Sequence, residues 1–312
     1  MRKWLKYIFL TLLLAGGVVL CAVRWQAWFG MPTEPKWTGD TLHYVFPHPV
    51  TDNGTQLTVL VLGDIHNRLT REDYNTLAER VPDVDFIVQT GDWLDRGQEY
   101  YYQLLMREWT TSELYGTPVI ACPGNHEYSK GLHKTLSPVW QEAFGEQSNY
   151  VLDVQNIRFI VMDTNPLTHI VDLTRELTWL RTAMYSAEDK FIVVLMHHPV
   201  LSPCKGRFNP LIYASFRHAL GEADLVLAGH DHSYMRHTPF VVLNTAGKPK
   251  PQHLGFEAEK TDTMPVYGVL SILPSEISHQ PSAVRNKPSQ MELRIFSLEN
   301  GELIDSLYVK HD

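Results

Sequence analysis

Five apolar runs of this 312-residue chain end in side chains able to hold a metal ion. "LTVLVLGD" leads into Asp64 and His66, and "DFIVQTGD" into Asp92 and Asp95. "PVIACPGN" leads to Asn125 and His126, "FIVVLMHH" ends in His197 and His198, and "DLVLAGHD" carries into His230 and His232. Imidazole and carboxylate without thiolate suit first-row divalent ions rather than calcium. These donors are too many for one tetrahedral ion and suit two ions sharing a bridging carboxylate. Such a pair, roughly 3.5–4 Å apart, clamps a phosphoryl group and turns water into hydroxide. Side chains at i and i+2 of an extended segment face one side, so His230 and His232 would point to one place. Asp231 would then face away and play a structural part.

The runs that carry these donors read as the frame. Near-continuous apolar stretches of this length predict strands covered on both faces, and "IRFIVMDTN" (157–165) is a sixth of the same kind. Ligand sites of open α/β sheets lie outside the carboxyl ends of strands. Glycines 63, 91, 124 and 229 would let the chain turn sharply there and keep the approach open. Between the runs, Thr70 can cap "REDYNTLAERV" with Asp73 three residues on. "EYYYQLLMREWTTSEL" and "LTRELTWLRTAMYSA" have helical apolar spacing, which makes Trp109 and Trp179 core residues. Asn209 and Pro210 open "LIYASFRHAL", and Gly221 stops it. The tail predicts a hairpin turning at Asn300-Gly301. The pattern is α/β, with antiparallel strands added by the hairpin. Lys248–Pro265 and Ser275–Gln290 read as surface loops, and Lys205-Gly206-Arg207 as a short basic one.

A hydrophobic content of 44% with 20% charged residues suits a globular core. The net charge of -8 and the lack of a basic tract argue against a nucleic-acid partner. The N-terminus differs from the rest: Arg2, Lys3 and Lys6 precede an apolar stretch from Tyr7 to Val23. As a helix it would span roughly 26 Å, slightly short of a bilayer core near 30 Å. The basic flank would stay in the cytoplasm and the remainder would be exported, with Trp25, Trp28 and Phe29 as interfacial anchors. Residues 1–30 are thus expected to be an uncleaved anchor; a signal peptide cleaved to release a secreted protein is the alternative. Residues 31–56, with Pro32, Pro35, Pro47 and Pro49, suit a linker. Cys122 and Cys204, the two cysteines of the exported part, could form one disulfide or remain buried thiols.

Taken in order, DxH, GDxxDR, GNHE, a histidine before a proline, and GHxH resemble the calcineurin-like metallophosphoesterase superfamily from Leu57 to the C-terminus. The resemblance implies a four-layer sandwich of two central mixed β-sheets flanked by helices, occupying residues 57–312. It also implies a dinuclear centre of manganese, iron or zinc ions. Asp64, His66, Asp92 and His232 would hold one ion; Asp92, Asn125, His197 and His230 would hold the other, with Asp92 bridging. In "MHHP" the ligand of that superfamily stands two residues before the proline, which selects His197 and leaves His198 in support.

"GHDHSYMRH", with Tyr234 and Arg236, resembles the tail of the purple acid phosphatases. That branch has a tyrosine ligand where this chain has Asp95, and lacks the histidine that His66 provides, so a tyrosinate-coloured iron centre is not expected. "GDWLDRG" and "GNHE" resemble the protein-phosphatase branch instead. By that likeness His126 and Asp95 form a proton-handling pair and Arg96 contacts phosphate. The rest of that branch's pattern is not evident, so no phosphoprotein substrate is inferred. Glu127 is expected to support the site or start a helix rather than act as a base. His169, His218 and His253 have no companion spacing and read as ordinary histidines. The expected function is hydrolysis of phosphate mono- or diesters, on a phosphorylated small molecule or lipid, by a membrane-tethered enzyme outside the cytoplasm. The alternative is a metal-binding scaffold of the same fold without turnover.

Overall fold

The structure, a computed structural model, describes residues 56–128, 135–145, 148–165, 170–187, 190–204, 210–273 and 290–309. The anchor expected over 1–30, the linker expected over 31–56 apart from Gln56, nearly all of the 275–290 loop, and the basic loop at 205–207 lie outside the described residues. Among the described residues, no helix is long and apolar enough to cross a membrane.

Strands β1 (Leu57–Leu62), β2 (Phe86–Gln89) and β3 (Val119–Ala121) lie side by side in parallel. On the other side of β1, strands β11 (Val266–Leu273), β12 (Gln290–Ser297) and β13 (Leu303–Val309) continue the sheet antiparallel. The second sheet is built around β5 (Ile157–Met162), β6 (Phe191–Met196), β7 (Leu225–Ala228) and β9 (Phe240–Val242), all parallel. Antiparallel strands complete it: β4 (Tyr150–Val154) beside β5, and β8 (Tyr234–His237) then β10 (Lys260–Asp262) beyond β9. β10 falls inside the stretch expected to be loop; its composition, "KTD", carries no apolar signal, and it forms by pairing with β8.

The burial patterns follow from this layering. β2, β5 and β7 are buried at every position, as strands covered on both faces must be. β12 alternates instead, with Met291, Leu293 and Ile295 turned inward and Glu292 and Arg294 toward the surface. One apolar cluster joins β1, β2 and β11 to Phe159, Phe191 and Leu227 of the second sheet. Tyr74 and Leu77 of helix α1 (Arg71–Arg80) and Leu105 and Trp109 of α2 (Glu99–Trp109) join the same cluster. A second cluster packs Ile160, Val194 and Val226 against Leu180 of α4 (Ile170–Tyr185) and Phe216 and Leu220 of α5 (Pro210–Leu220). A short α3 (Pro138–Phe144), capped by Ser137, lies between β3 and β4 in sequence. The fold is therefore two mixed sheets flanked by helices.

Thr70 does cap α1, its hydroxyl accepting from Asp73 N–H while Asp73 reaches back to the Thr70 N–H. Of the two alternatives for Cys122 and Cys204, the structure has the buried free thiols rather than the bridge. The Cys204 thiol instead faces the Asp231 carbonyl at 3.4 Å, and Cys122 is buried at the end of β3.

Candidate metal centre

Each strand that carries donors stops before them, and the bends that follow are strained. Asp64, His66, Asp92, His230 and His232 all hold positive φ, at 51°, 52°, 56°, 73° and 50°. Left-handed backbone costs a non-glycine residue energy and persists where the surroundings over-determine it. Of the four glycines expected to make these turns, only Gly91 has positive φ, at 96°. Gly124 serves close approach: a Cβ there would fall 2.2 Å from Asp92 Oδ1. The sharp turning falls on the donors themselves, and the His230–His232 segment is a bend, not an extended strand.

The loops of both sheets lace together around these bends. Asp64 N–H donates to the Gly91 carbonyl at 3.1 Å, His66 N–H to the Asp92 carbonyl at 2.9 Å, and Gly229 N–H to the His197 carbonyl at 3.0 Å. His230 N–H crosses between sheets to Asp64 Oδ1 at 3.0 Å.

The donors fall into two groups. In the first, Asp64, His66, Asp92 and His232 bring one donor atom each to within 4.8 Å of one another. His66 Nε2 is 3.1 Å from His232 Nε2, 3.6 Å from Asp92 Oδ2 and 3.9 Å from Asp64 Oδ1. In the second, His197 Nε2 is 3.2 Å from His230 Nδ1, 3.3 Å from Asn125 Oδ1 and 3.3 Å from Asp92 Oδ2. The same Asp92 oxygen thus faces both groups. His198 stands with the second group, offering a ring nitrogen within 4.8 Å of donor atoms of His197 and His230, while its Nδ1 is 2.8 Å from the Thr164 hydroxyl.

This donor set fits divalent cations. Asp64 Oδ2 is buried without a hydrogen-bond partner, an orphan that a cation would satisfy. Burial, and then the neighbouring Asp92 charge, push the Asp64 carboxyl up, against the pull of His197. Burial holds His66 down at about 3 and His232 down at about 4, so both imidazoles are neutral and offer lone pairs at neutral pH. Burial also opposes charge on His197, but Asp92 and Asp64 beside it outweigh this and raise it to about 9. His197 and His232 each donate Nδ1–H to a main-chain carbonyl, of Thr90 at 2.9 Å and Lys248 at 2.9 Å, which turns Nε2 toward the donors.

His126 lies beside the first group, with its Nε2 3.9 Å from Asp92 Oδ2. A carboxylate oxygen of Asp95 lies within 4.8 Å of a ring nitrogen of His126, as the pairing requires, while the hydrogen bond itself runs from His126 Nδ1 to the Asp95 main-chain carbonyl. The Asp95 carboxylate also lies 3.9 Å from His66 Nδ1. The reason is local, because Asn67 Oδ1 takes the Asp95 N–H at 2.7 Å and fixes the residue with its carbonyl toward His126. Arg96 follows on the same loop, exposed to solvent.

Glu127 supports the site as expected, buried and accepting N–H bonds from Asp92, Leu94 and Gly124 at 2.9, 2.9 and 2.7 Å. Burial, with Asp92 nearby, raises it to about 7. Other supporting residues escaped sequence reasoning. Thr164 and Asn165 were not singled out, although they end the sixth apolar run. Thr164 meets His198, and Asn165 Nδ2 donates to the carbonyls of Pro123 and Gly124 at 3.2 and 3.3 Å. Lys248 and Lys250 came from a stretch read as surface loop; Lys250 Nζ donates to the His230 carbonyl at 2.8 Å. Asp231 is buried and accepts from the Ser202 hydroxyl at 2.5 Å, in keeping with a structural part.

The sequence profile of the calcineurin-like phosphoesterases matches residues 57–234. No curated protein matches the sequence. Among solved structures the chain resembles GAP50, the anchor in the inner membrane complex of Plasmodium, with a TM-score of 0.60 at 16% identity, over 83% of this chain and 90% of that one. It also resembles the purple acid phosphatase PPD1 from yellow lupin (Lupinus luteus) seeds, with a TM-score of 0.58 at 13% identity, over 85% of this chain and 55% of that one. At such identities the likeness is one of fold. The profile match spans more than half of the chain and every donor in both groups, and on that ground the chain belongs to the calcineurin-like phosphoesterase family.

Proposed function

We propose that this chain hydrolyses phosphate esters at a centre of two divalent ions. Asp64, His66, Asp92 and His232 would hold one, and Asp92, Asn125, His197 and His230 the other. The observation that carries this reading is Asp92 Oδ2, 3.6 Å from His66 Nε2 and 3.3 Å from His197 Nε2, where a shared carboxylate belongs. Bound, such an ion pair supplies Lewis acidity to a phosphoryl oxygen and lowers the pKa of water. The rest falls to the chain's own groups. His126, held through Nδ1–H by the Asp95 carbonyl, presents Nε2 as the atom that carries a proton to the departing oxygen. Arg96 offers an exposed guanidinium to the phosphate.

The same reading places the enzyme at a membrane with its catalytic domain outside the cytoplasm. The apolar stretch 7–23 behind Arg2, Lys3 and Lys6 supports this. A phosphorylated small molecule or lipid is the substrate class, since a net charge of -8 disfavours nucleic acid. The scaffold alternative draws on the likeness in fold to GAP50, which is described as an anchor. Against it stands the full donor set converging on two groups. Assay of phosphomonoesters, diesters and pyrophosphates with manganese, iron or zinc tests the proposal. Hydrolysis of one class, abolished by chelation, is expected. Binding of the ions without turnover of any class would leave the scaffold reading.

A further inference from the structure

The segment Gly247–Lys250 crosses behind the two loop histidines and touches both. The Lys248 carbonyl accepts His232 Nδ1–H at 2.9 Å, and Lys250 Nζ donates to the His230 carbonyl at 2.8 Å. Lys250 N–H also approaches the His232 carbonyl at 3.4 Å. The segment is itself tied from inside the protein: Asn244, fully buried, donates Nδ2–H to the Gly247 carbonyl at 3.0 Å. Gly247 sits against the His232 ring so closely that a Cβ would lie 2.9 Å from His232 Cγ and 2.5 Å from Asn244 Oδ1. Contacts under 3.0 Å of this kind force something to move, and the His232 ring and the Asn244 side chain are the groups such a Cβ meets first.

We propose that Gly247–Lys250 is the positioning element of the two loop histidines, with Gly247 the residue that seats His232 in the first donor group. The inference rests on the dinuclear reading above. A carbonyl that takes the second N–H of a ligating imidazole fixes its tautomer and direction, and loss of such a partner typically costs about 10–100-fold in metal affinity. His230 belongs to the other group and is held through its main chain, so a shift confined to the Gly247 side acts on one ion. An added methyl at Gly247 therefore has a signature that general loosening lacks.

The test is a calorimetric Mn2+ titration of the full chain after chelation, with thermal unfolding of the same samples. Gly247→Ala should weaken one of two ions by about 10–100-fold and leave the other unchanged. Asn244→Ser, which releases the Gly247 carbonyl without adding bulk, should weaken the same ion, and stands in if the alanine variant does not fold. Two ions at wild-type affinity in the variants, or both weakened together, overturn the inference. Wild-type protein that binds none of Mn2+, Fe2+ and Zn2+ overturns instead the dinuclear reading, and shows it before any variant is made; if only iron or zinc binds, that ion takes the place of Mn2+ in the titration.

Discussion

The carboxylate of Glu127 accepts the backbone N–H of Asp92 at 2.9 Å, 35 positions earlier in the chain, and so holds the bend that presents the shared oxygen. The same carboxylate takes Leu94 N–H and Gly124 N–H, fastening the loop after β2 to the loop after β3. A carboxamide cannot accept all three, because its NH2 would meet an N–H donor. Glu127→Gln should cost about 1–3 kcal/mol, the usual penalty for a buried donor left unpaired. Denaturant unfolding reads this directly. An unchanged midpoint would show that the three bonds are dispensable.

His126 should matter in proportion to how poor the leaving group is. General acid help is typically worth about 10²–10⁴ in rate, and only where the departing oxygen needs a proton. His126→Ala should slow an alkyl phosphate ester severely and a nitrophenyl ester much less. Asp95→Asn should leave that contrast intact, because the main-chain carbonyl that holds His126 remains. Equal losses on both esters in the alanine variant would remove the acid role.

Asp305 of β13 joins the two sheets, taking hydrogen bonds from Tyr234 at 2.8 Å and from Arg236 Nε at 2.7 Å, both on β8. Burial works to raise its pKa, but the Arg236 and Tyr234 bonds outweigh that and lower it. A depressed carboxyl stabilises the fold above its unfolded value, near pH 3.9, and the gain is lost as pH falls through the folded value. Asp305→Asn should therefore melt below wild type at neutral pH, with the gap closing in acid below about pH 3.9. A gap that stays constant into acid would detach the effect from the charge.

The chain should fractionate with membranes, and a reporter fused after Asp312 should work only outside the cytoplasm. Recovery of a soluble form beginning after residue 17 or 23 would favour the cleaved signal.

The frame was legible where one residue's chemistry dictates local structure. Asn300-Gly301 turns the β12–β13 hairpin with Gly301 at φ 74°, and Thr70 with Asp73 caps α1. The donors were legible because buried strands end in polar residues for few reasons. The two-sheet arrangement came from the family likeness rather than from periodicity. What could not be read were partnerships made by the main chain. The carbonyls of Asp95, Thr90 and Lys248 orient three imidazoles, and a carbonyl leaves no mark on residue type. The contact of Lys250 with His230 spans 20 positions and that of Tyr234 with Asp305 spans 71, beyond any local pattern. The left-handed bends were placed on glycines because glycine is the usual bearer of positive φ. Here the short polar donors Asp64 and Asp92 adopt it, held by the hydrogen bonds around them.

The central claim is that two ions share Asp92, and metal stoichiometry of matched samples tests it most directly. Elemental analysis of active wild-type protein should find two divalent ions per chain. Asp92→Asn replaces the oxygen that faces both His66 and His197, so the variant should lose both ions together. A single ion in fully active wild-type protein, or an Asp92→Asn variant that keeps one ion at full affinity, would contradict the account.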